Sequence, residues 1–130
     1  MSGPQLSDQQ LDFLRALWRL GEATGAQVQA ELSRLGRDLA PTTVSTVLGR
    51  LEKRGLVSYR REGRQHVYWA LVSETEVRSQ VLTKVTNNLF AGDVPALVSQ
   101  LLDVSRVSSE DLAEVQRLLA QHKTRSDDDA

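Results

Sequence analysis

The sequence predicts a mainly α-helical chain with one small β-hairpin, in the order three helices, hairpin, three helices. Three observations predict it. Apolar residues recur at helical spacing on both sides of a single stretch, from Leu56 to Leu71, where the period falls to two. Ser7 with Gln10, Thr24 with Gln27, Ser73 with Glu76 and Ser108 with Asp111 have capping-box spacing at helix starts, while Gly21, Gly36, Gly55 and Gly92 mark helix ends. The chain of 130 residues and 14.4 kDa, 40% apolar and 25% charged, suits one modest folded domain with an appendage.

The first helix begins near Asp8, because Ser7 and Gln10 cap it and Leu6 lies opposite Leu11 as a staple; Leu14, Leu17 and Trp18 continue its apolar stripe. Thr24 and Gln27 open a second, short helix with Val28, Leu32 and Leu35 on one side. Pro41 stands in the first turn of a third helix, where a missing amide hydrogen costs least. Val44, Val47, Leu48 and Leu51 give that helix a buried face. Its other face carries Thr42, Thr43, Ser45, Thr46, Gly49, Arg50 and Lys53, small and hydroxylated first and cationic later.

In the hairpin, Val57 and Tyr59 alternate with Ser58 and Arg60, Arg61-Glu62-Gly63-Arg64 forms the turn, and Val67, Trp69 and Leu71 alternate with His66, Tyr68 and Ala70. Trp18, Tyr68 and Trp69 read as core or core-edge residues, and His66 as a solvent-facing strand residue. Beyond Ser73, Val77, Val81, Val85 and Leu89 repeat every fourth residue, with Leu82 and Phe90 broadening the stripe. Asp93 caps a short helix starting near Pro95, with Leu97, Val98, Leu101 and Leu102; the last helix carries Leu112, Val115, Leu118 and Leu119. Three such helices bury only part of their apolar surface against one another, which points to homodimerisation.

Three helices followed by a hairpin is the order of a winged helix-turn-helix, whose third helix enters a DNA major groove and whose hairpin is the wing. The expected organisation is a winged-helix DNA-binding domain over residues 1–72, a helical dimerisation domain over 73–123 and a disordered acidic tail over 124–130. The formal net charge of −1 conceals an asymmetry. Residues 1–72 hold ten Lys and Arg against seven Asp and Glu, and residues 50–64 alone hold six against two. Cationic charge thus concentrates on the third helix and the wing, where salt-dependent DNA affinity requires it.

There is no cysteine, which removes disulfides, thiolate metal sites and cysteine nucleophiles, and two histidines, His66 and His122, leave no multi-histidine site. No catalytic motif, apolar membrane span or leader pattern occurs. The chain reads as a cytoplasmic non-enzyme without cofactor or metal.

The stretch from Ala40 to Val57, with its T-x-x-T-x-x-x-R-L-x-x-[KR]-G core, resembles the BlaI/MecI/CopY (penicillinase repressor) family of winged-helix transcriptional repressors. Leu6-Ser7, Leu17-Trp18, Tyr68 and the run from Leu89 to Val98 extend the resemblance over roughly Leu6 to Leu119. It implies a homodimer bound to a double-stranded, pseudo-palindromic operator. Thr42, Thr43, Ser45 and Thr46 would face the groove, Arg50 and Lys53 would lie nearer the backbone, and Arg60, Arg61 and Arg64 would reach phosphates from the wing. Val81, Val85, Leu89, Phe90, Leu97, Leu101, Leu112, Val115 and Leu119 would pair the subunits.

The copper-responsive relatives use a cysteine-rich site, which this chain lacks. The β-lactam-responsive ones are released by cleavage at an Asn-Phe bond, where Asp93-Val94 stands here. The sensor or protease partner, if one exists, is not written in the sequence. Two other readings remain open at this point: a MarR- or PadR-like regulator released by a small molecule, and a winged helix that binds protein and no DNA. Two uses of Gly49 also remain open, close approach to a partner element or to DNA.

Overall fold

The computed structural model describes residues 5–129. Of the expected tail Ala130 lies outside the described residues, as do residues 1–4 of the expected DNA-binding domain. The elements are α1 Asp8–Leu20, β1 Glu22–Thr24, α2 Gly25–Arg34, α3 Pro41–Lys53, β2 Val57–Glu62, β3 Gln65–Ala70, α4 Glu74–Leu89, α5 Val94–Val104 and α6 Ser109–Asp129. All four capping boxes close: Ser7, Thr24, Ser73 and Ser108 each accept from the amide three residues on, and Gln10, Gln27, Glu76 and Asp111 reach back. The chain is thus mainly helical with one small antiparallel sheet, as the sequence predicts.

The chain divides into two compact units, one ending at Lys84 and one starting at Val85. This division falls after the expected boundary at residues 72 and 73. The first turns of α4 belong to the first unit, where Val77 is buried, and the Trp18 indole N–H donates to the Val72 carbonyl at 2.8 Å to fix the approach to α4.

The core of the first unit is Phe13, Leu14, Ala16 and Leu17 of α1, Val28 and Leu32 of α2, Val44, Val47, Leu48 and Leu51 of α3, with Ala23, Leu56 and Val57 closing it. The buried face of α3 is the one its periodicity predicts. On α1, fully buried Phe13 joins the core while Leu11 is half-buried, so the stripe is turned slightly from the expected one. Trp18 and Tyr68 pack at the core's edge as expected.

β1 is an element the sequence does not announce. Three residues long, it pairs antiparallel with β3, Glu22 opposite Trp69 and Thr24 opposite Val67, giving a sheet of order β1-β3-β2. The hairpin turn is tighter than the four residues expected. Glu62 pairs with Gln65, leaving Gly63 and Arg64 as a two-residue connection, and Gly63 takes φ 62°, a conformation costly for a residue with Cβ.

In the second unit, Asp93 caps α5 by accepting from the Ala96 amide at 3.0 Å. α6 continues through Asp129, where a disordered tail is expected. No proline or glycine interrupts residues 124–129, and the Thr124 hydroxyl donates back to the Ala120 carbonyl at 3.1 Å, so the helix has no local reason to stop. No side chain among described positions 85–126 is buried. Among the described residues no helix is long and apolar enough to cross a membrane.

Candidate nucleic-acid interface

Helix α3 starts at Pro41 and ends in Arg50, Lys53 and Arg54, cations that complement the negative end of the helix dipole. Arg54 is drawn inward: its guanidinium donates to Gln10 Oε1 at 3.0 Å and to the Gln5 carbonyl at 2.8 Å, tying α3 to the start of α1. Thr42, Ser45, Thr46, Arg50 and Lys53 are exposed and Thr43 is half-buried. The Thr46 hydroxyl donates to the Thr42 carbonyl at 2.9 Å, which leaves its oxygen and methyl free toward solvent. Among the described residues no carboxylate pairs with Arg50 or Lys53.

Gly49 lies between Thr46 and Lys53 on that outward face, and a Cβ built there would meet nothing within 4 Å. No packing within the chain therefore asks for glycine, although it costs about 1 kcal/mol relative to alanine in a helix.

The hairpin separates its cations onto two faces. Arg60 donates to Glu22 Oε2 at 2.6 Å and to Glu62 Oε2 at 2.8 Å, and lies 5.8 Å from the ring centre of Trp69. Hydrogen bonds to Glu22, then to Glu62, hold its guanidinium well above the ordinary arginine range, while Arg60 holds Glu22 below the ordinary carboxylate range. In this DNA-free arrangement two carboxylates engage Arg60, the residue expected to reach phosphate, and fasten β1 to β2.

Arg61 and Arg64 have no carboxylate partner among the described residues. Arg61 pairs across the strands with His66, and its Nε–H donates to His66 Nε2 at 3.3 Å. His66 is not simply solvent-facing. It is half-buried, stacked on Tyr59 with ring centres 4.5 Å apart, and 3.4 Å from the Tyr68 hydroxyl. Burial, followed by the neighbouring charges of Tyr59 and Glu52, pushes the Tyr68 phenol above its ordinary range, so it stays protonated and able to donate.

Between this face and the helices runs an open groove of about 320 Å³, lined by Ser45 of α3, Gly25 and Ala26 at the start of α2, and Arg64, His66 and Tyr68 of the wing. The fold thus brings Ser45 and Arg64 to one groove. His66 and Tyr68 were missed as site residues because strand alternation alone gives no sign that their face continues toward α3.

The residues expected to pair subunits carry exposed or half-buried side chains. Val81, Leu89, Leu101, Leu112, Val115 and Leu119 are between 37% and 75% exposed, while Val85, Phe90 and Leu97 are half-buried. Among the described residues no cluster of histidine, aspartate or glutamate suited to a metal ion occurs.

Comparison with known proteins agrees with the geometry. The chain is 29% identical to the penicillinase repressor of Bacillus licheniformis over 122 residues, 94% of each chain. It is 21% identical to the methicillin resistance regulatory protein MecI of Staphylococcus aureus over 115 residues, 88% of this chain and 93% of that one. A solved DNA-binding domain of the repressor BlaI superposes with a TM-score of 0.50 at 32% identity, covering 58% of this chain and 93% of that domain. The penicillinase repressor family matches residues 6–121. The chain therefore belongs to the penicillinase repressor family of winged-helix, DNA-binding transcriptional repressors, which are not enzymes.

Proposed function

We propose that this chain works as a homodimer, each subunit placing α3 in a major groove of one half of a pseudo-palindromic operator. The observation that carries the reading is the division of labour along the chain: exposed cations on α3 and the wing tip, and exposed aliphatic side chains without a core beyond Lys84. In this reading Thr42, Thr43, Ser45 and Thr46 face base edges, where hydroxyls bond either donors or acceptors and threonine methyls meet thymine methyls. Arg50, Lys53, Arg61 and Arg64 take phosphates, which fixes register and contributes salt-dependent affinity. Val81, Val85, Leu89, Phe90, Leu97, Leu101, Leu112, Val115 and Leu119 cover one another across a two-fold axis. The place of action is the cytoplasm.

Selection of bound sequences from a random duplex pool tests this directly. The expected product is an inverted repeat with half-sites about 10 bp, or a multiple of it, apart. Enrichment of a single half-site without symmetry, or a stable monomer in light scattering, would overturn the dimer.

A further inference from the structure

We propose that the groove between the wing and α3 seats one phosphodiester of the bound DNA strand, and that Tyr68, oriented by His66 and Arg61, donates the central hydrogen bond to it. This rests on the DNA-binding reading above and adds to it two residues, His66 and Tyr68, that no charge pattern identifies.

The argument is one of hydrogen-bond direction. A guanidinium has donors and no acceptor, so in the 3.3 Å contact between Arg61 Nε and His66 Nε2 the arginine donates and Nε2 accepts. A neutral imidazole with Nε2 as acceptor carries its single proton on Nδ1. In the 3.4 Å contact with Tyr68 that Nδ1–H donates to the phenol oxygen. The phenol's own hydrogen is then directed away from His66 and requires an acceptor elsewhere. Tyr68 lines the groove, so the acceptor is sought there.

The chemistry of the groove selects what that acceptor is. Arg64 contributes an unpaired cation, Ser45 a hydroxyl, and Gly25 and Ala26 open a helix whose first amides have no intrahelical partner. Among the described residues no carboxylate lines the groove, and the carboxylate whose charge reaches Tyr68 is Glu52. Donors and positive charge without an acidic group fit an anion with several acceptor oxygens. Its position beside Ser45, on the face of α3 read here as entering the major groove, makes that anion a phosphate of the strand bordering the groove. The aromatic stack of Tyr59 on His66 holds the relay in place from the other side.

Tyr68→Phe is the informative variant, because it keeps the ring at the core's edge and removes only the hydroxyl. Binding is measured by fluorescence anisotropy with a duplex recovered from the random pool and with an unrelated duplex, at several salt concentrations. The expected result is a loss of about tenfold on both duplexes, as for a hydrogen bond to a charged group that carries no sequence information. The salt slope should stay unchanged, since no charge is removed.

A second measurement fixes the contact. Methylphosphonate replaces one phosphate at a time along the selected duplex, and at one position per half-site the loss should be about tenfold smaller in the Tyr68→Phe variant than in the wild type, the remaining loss in both coming from the charge that Arg64 no longer meets. Wild-type binding with a Tyr68→Phe variant within twofold of it, or the absence of any such position, would overturn the seat alone. A wild type that binds no duplex even at low salt would overturn the DNA-binding reading and the seat together. Circular dichroism melting of the variant checks that the fold is retained.

Discussion

The two units of this chain are built from the same kind of helix and end differently. In the first, α1, α2 and α3 each turn a stripe of Leu, Val or Phe onto a shared core, and Leu14, Leu32, Leu48 and Leu51 are fully buried. In the second, α5 and α6 start from equally sound caps, yet Leu101, Leu112 and Leu119 remain 44–63% exposed. The difference teaches that caps and periodicity decide whether a helix forms, while the identity of the surface that covers it is a separate matter, settled within one chain in the first unit and between two chains in the proposed dimer.

The sharpest way to break that comparison is to shorten one leucine in each unit. Leu48→Ala removes a fully buried side chain and should cost about 2–5 kcal/mol of stability, independent of protein concentration. Trp18 and Trp69, the only tryptophans, both lie in the first unit, so denaturation followed by fluorescence reports that unit. Leu101→Ala should leave this transition nearly unchanged and weaken subunit association by about tenfold in sedimentation. An equal, concentration-independent loss in both variants would remove the distinction between the two units.

A second comparison sits within the wing. Arg61→Ala should lower the salt slope of DNA binding by about 1 on any duplex, as expected for one phosphate contact removed. Arg60→Ala should leave the slope unaltered and instead lower the melting temperature, because it unfastens Glu22 on β1 from Glu62 on β2. A reduced slope for Arg60→Ala would mean that its carboxylates release it when DNA arrives.

The smallest expected effect concerns pH. Glu31 is a buried carboxylate that takes three hydrogen bonds from Arg34, the closest at 2.6 Å, with Arg19 3.5 Å away. The Arg34 bonds hold its carboxyl below the ordinary glutamate range. A depressed folded-state value means stability that is present above the unfolded carboxyl's pKa and lost as the pH falls through the folded one. Acid titration of stability should therefore be less steep in Glu31→Gln, and a wild-type profile as flat as the variant's would contradict the assignment. Both arginines are half-exposed, which keeps the effect modest.

Most of the fold was legible because its signals are local. Each capping box lies within four residues, and the Val44, Val47, Leu48 and Leu51 stripe states its own buried face. What was not legible depends on distant partners. β1 is three residues of unremarkable composition that become a strand only because β3 has a free edge, and Arg60 differs from Arg61 only because Glu22 arrives from 38 residues away. The same holds for His66 and Tyr68, whose role depends on which helix their strand faces. The helical course of residues 124–129 was missed for another reason: a run of acidic residues was read as solvated and hence irregular, although charge alone does not break a helix.

The two-residue turn at Gly63 and Arg64 has a consequence for how this wing tolerates change over evolutionary time. Side chains alternate across a strand, so a slip of one place in the pairing of β2 with β3 would exchange the two faces. Arg61 would go to the acidic side and Arg60 to the side of His66. Sequence drift at the tip can therefore replace the residues beside Gly63 freely, but an insertion or deletion there would rewire the charge pattern of the whole hairpin in a single step, with no substitution in either strand.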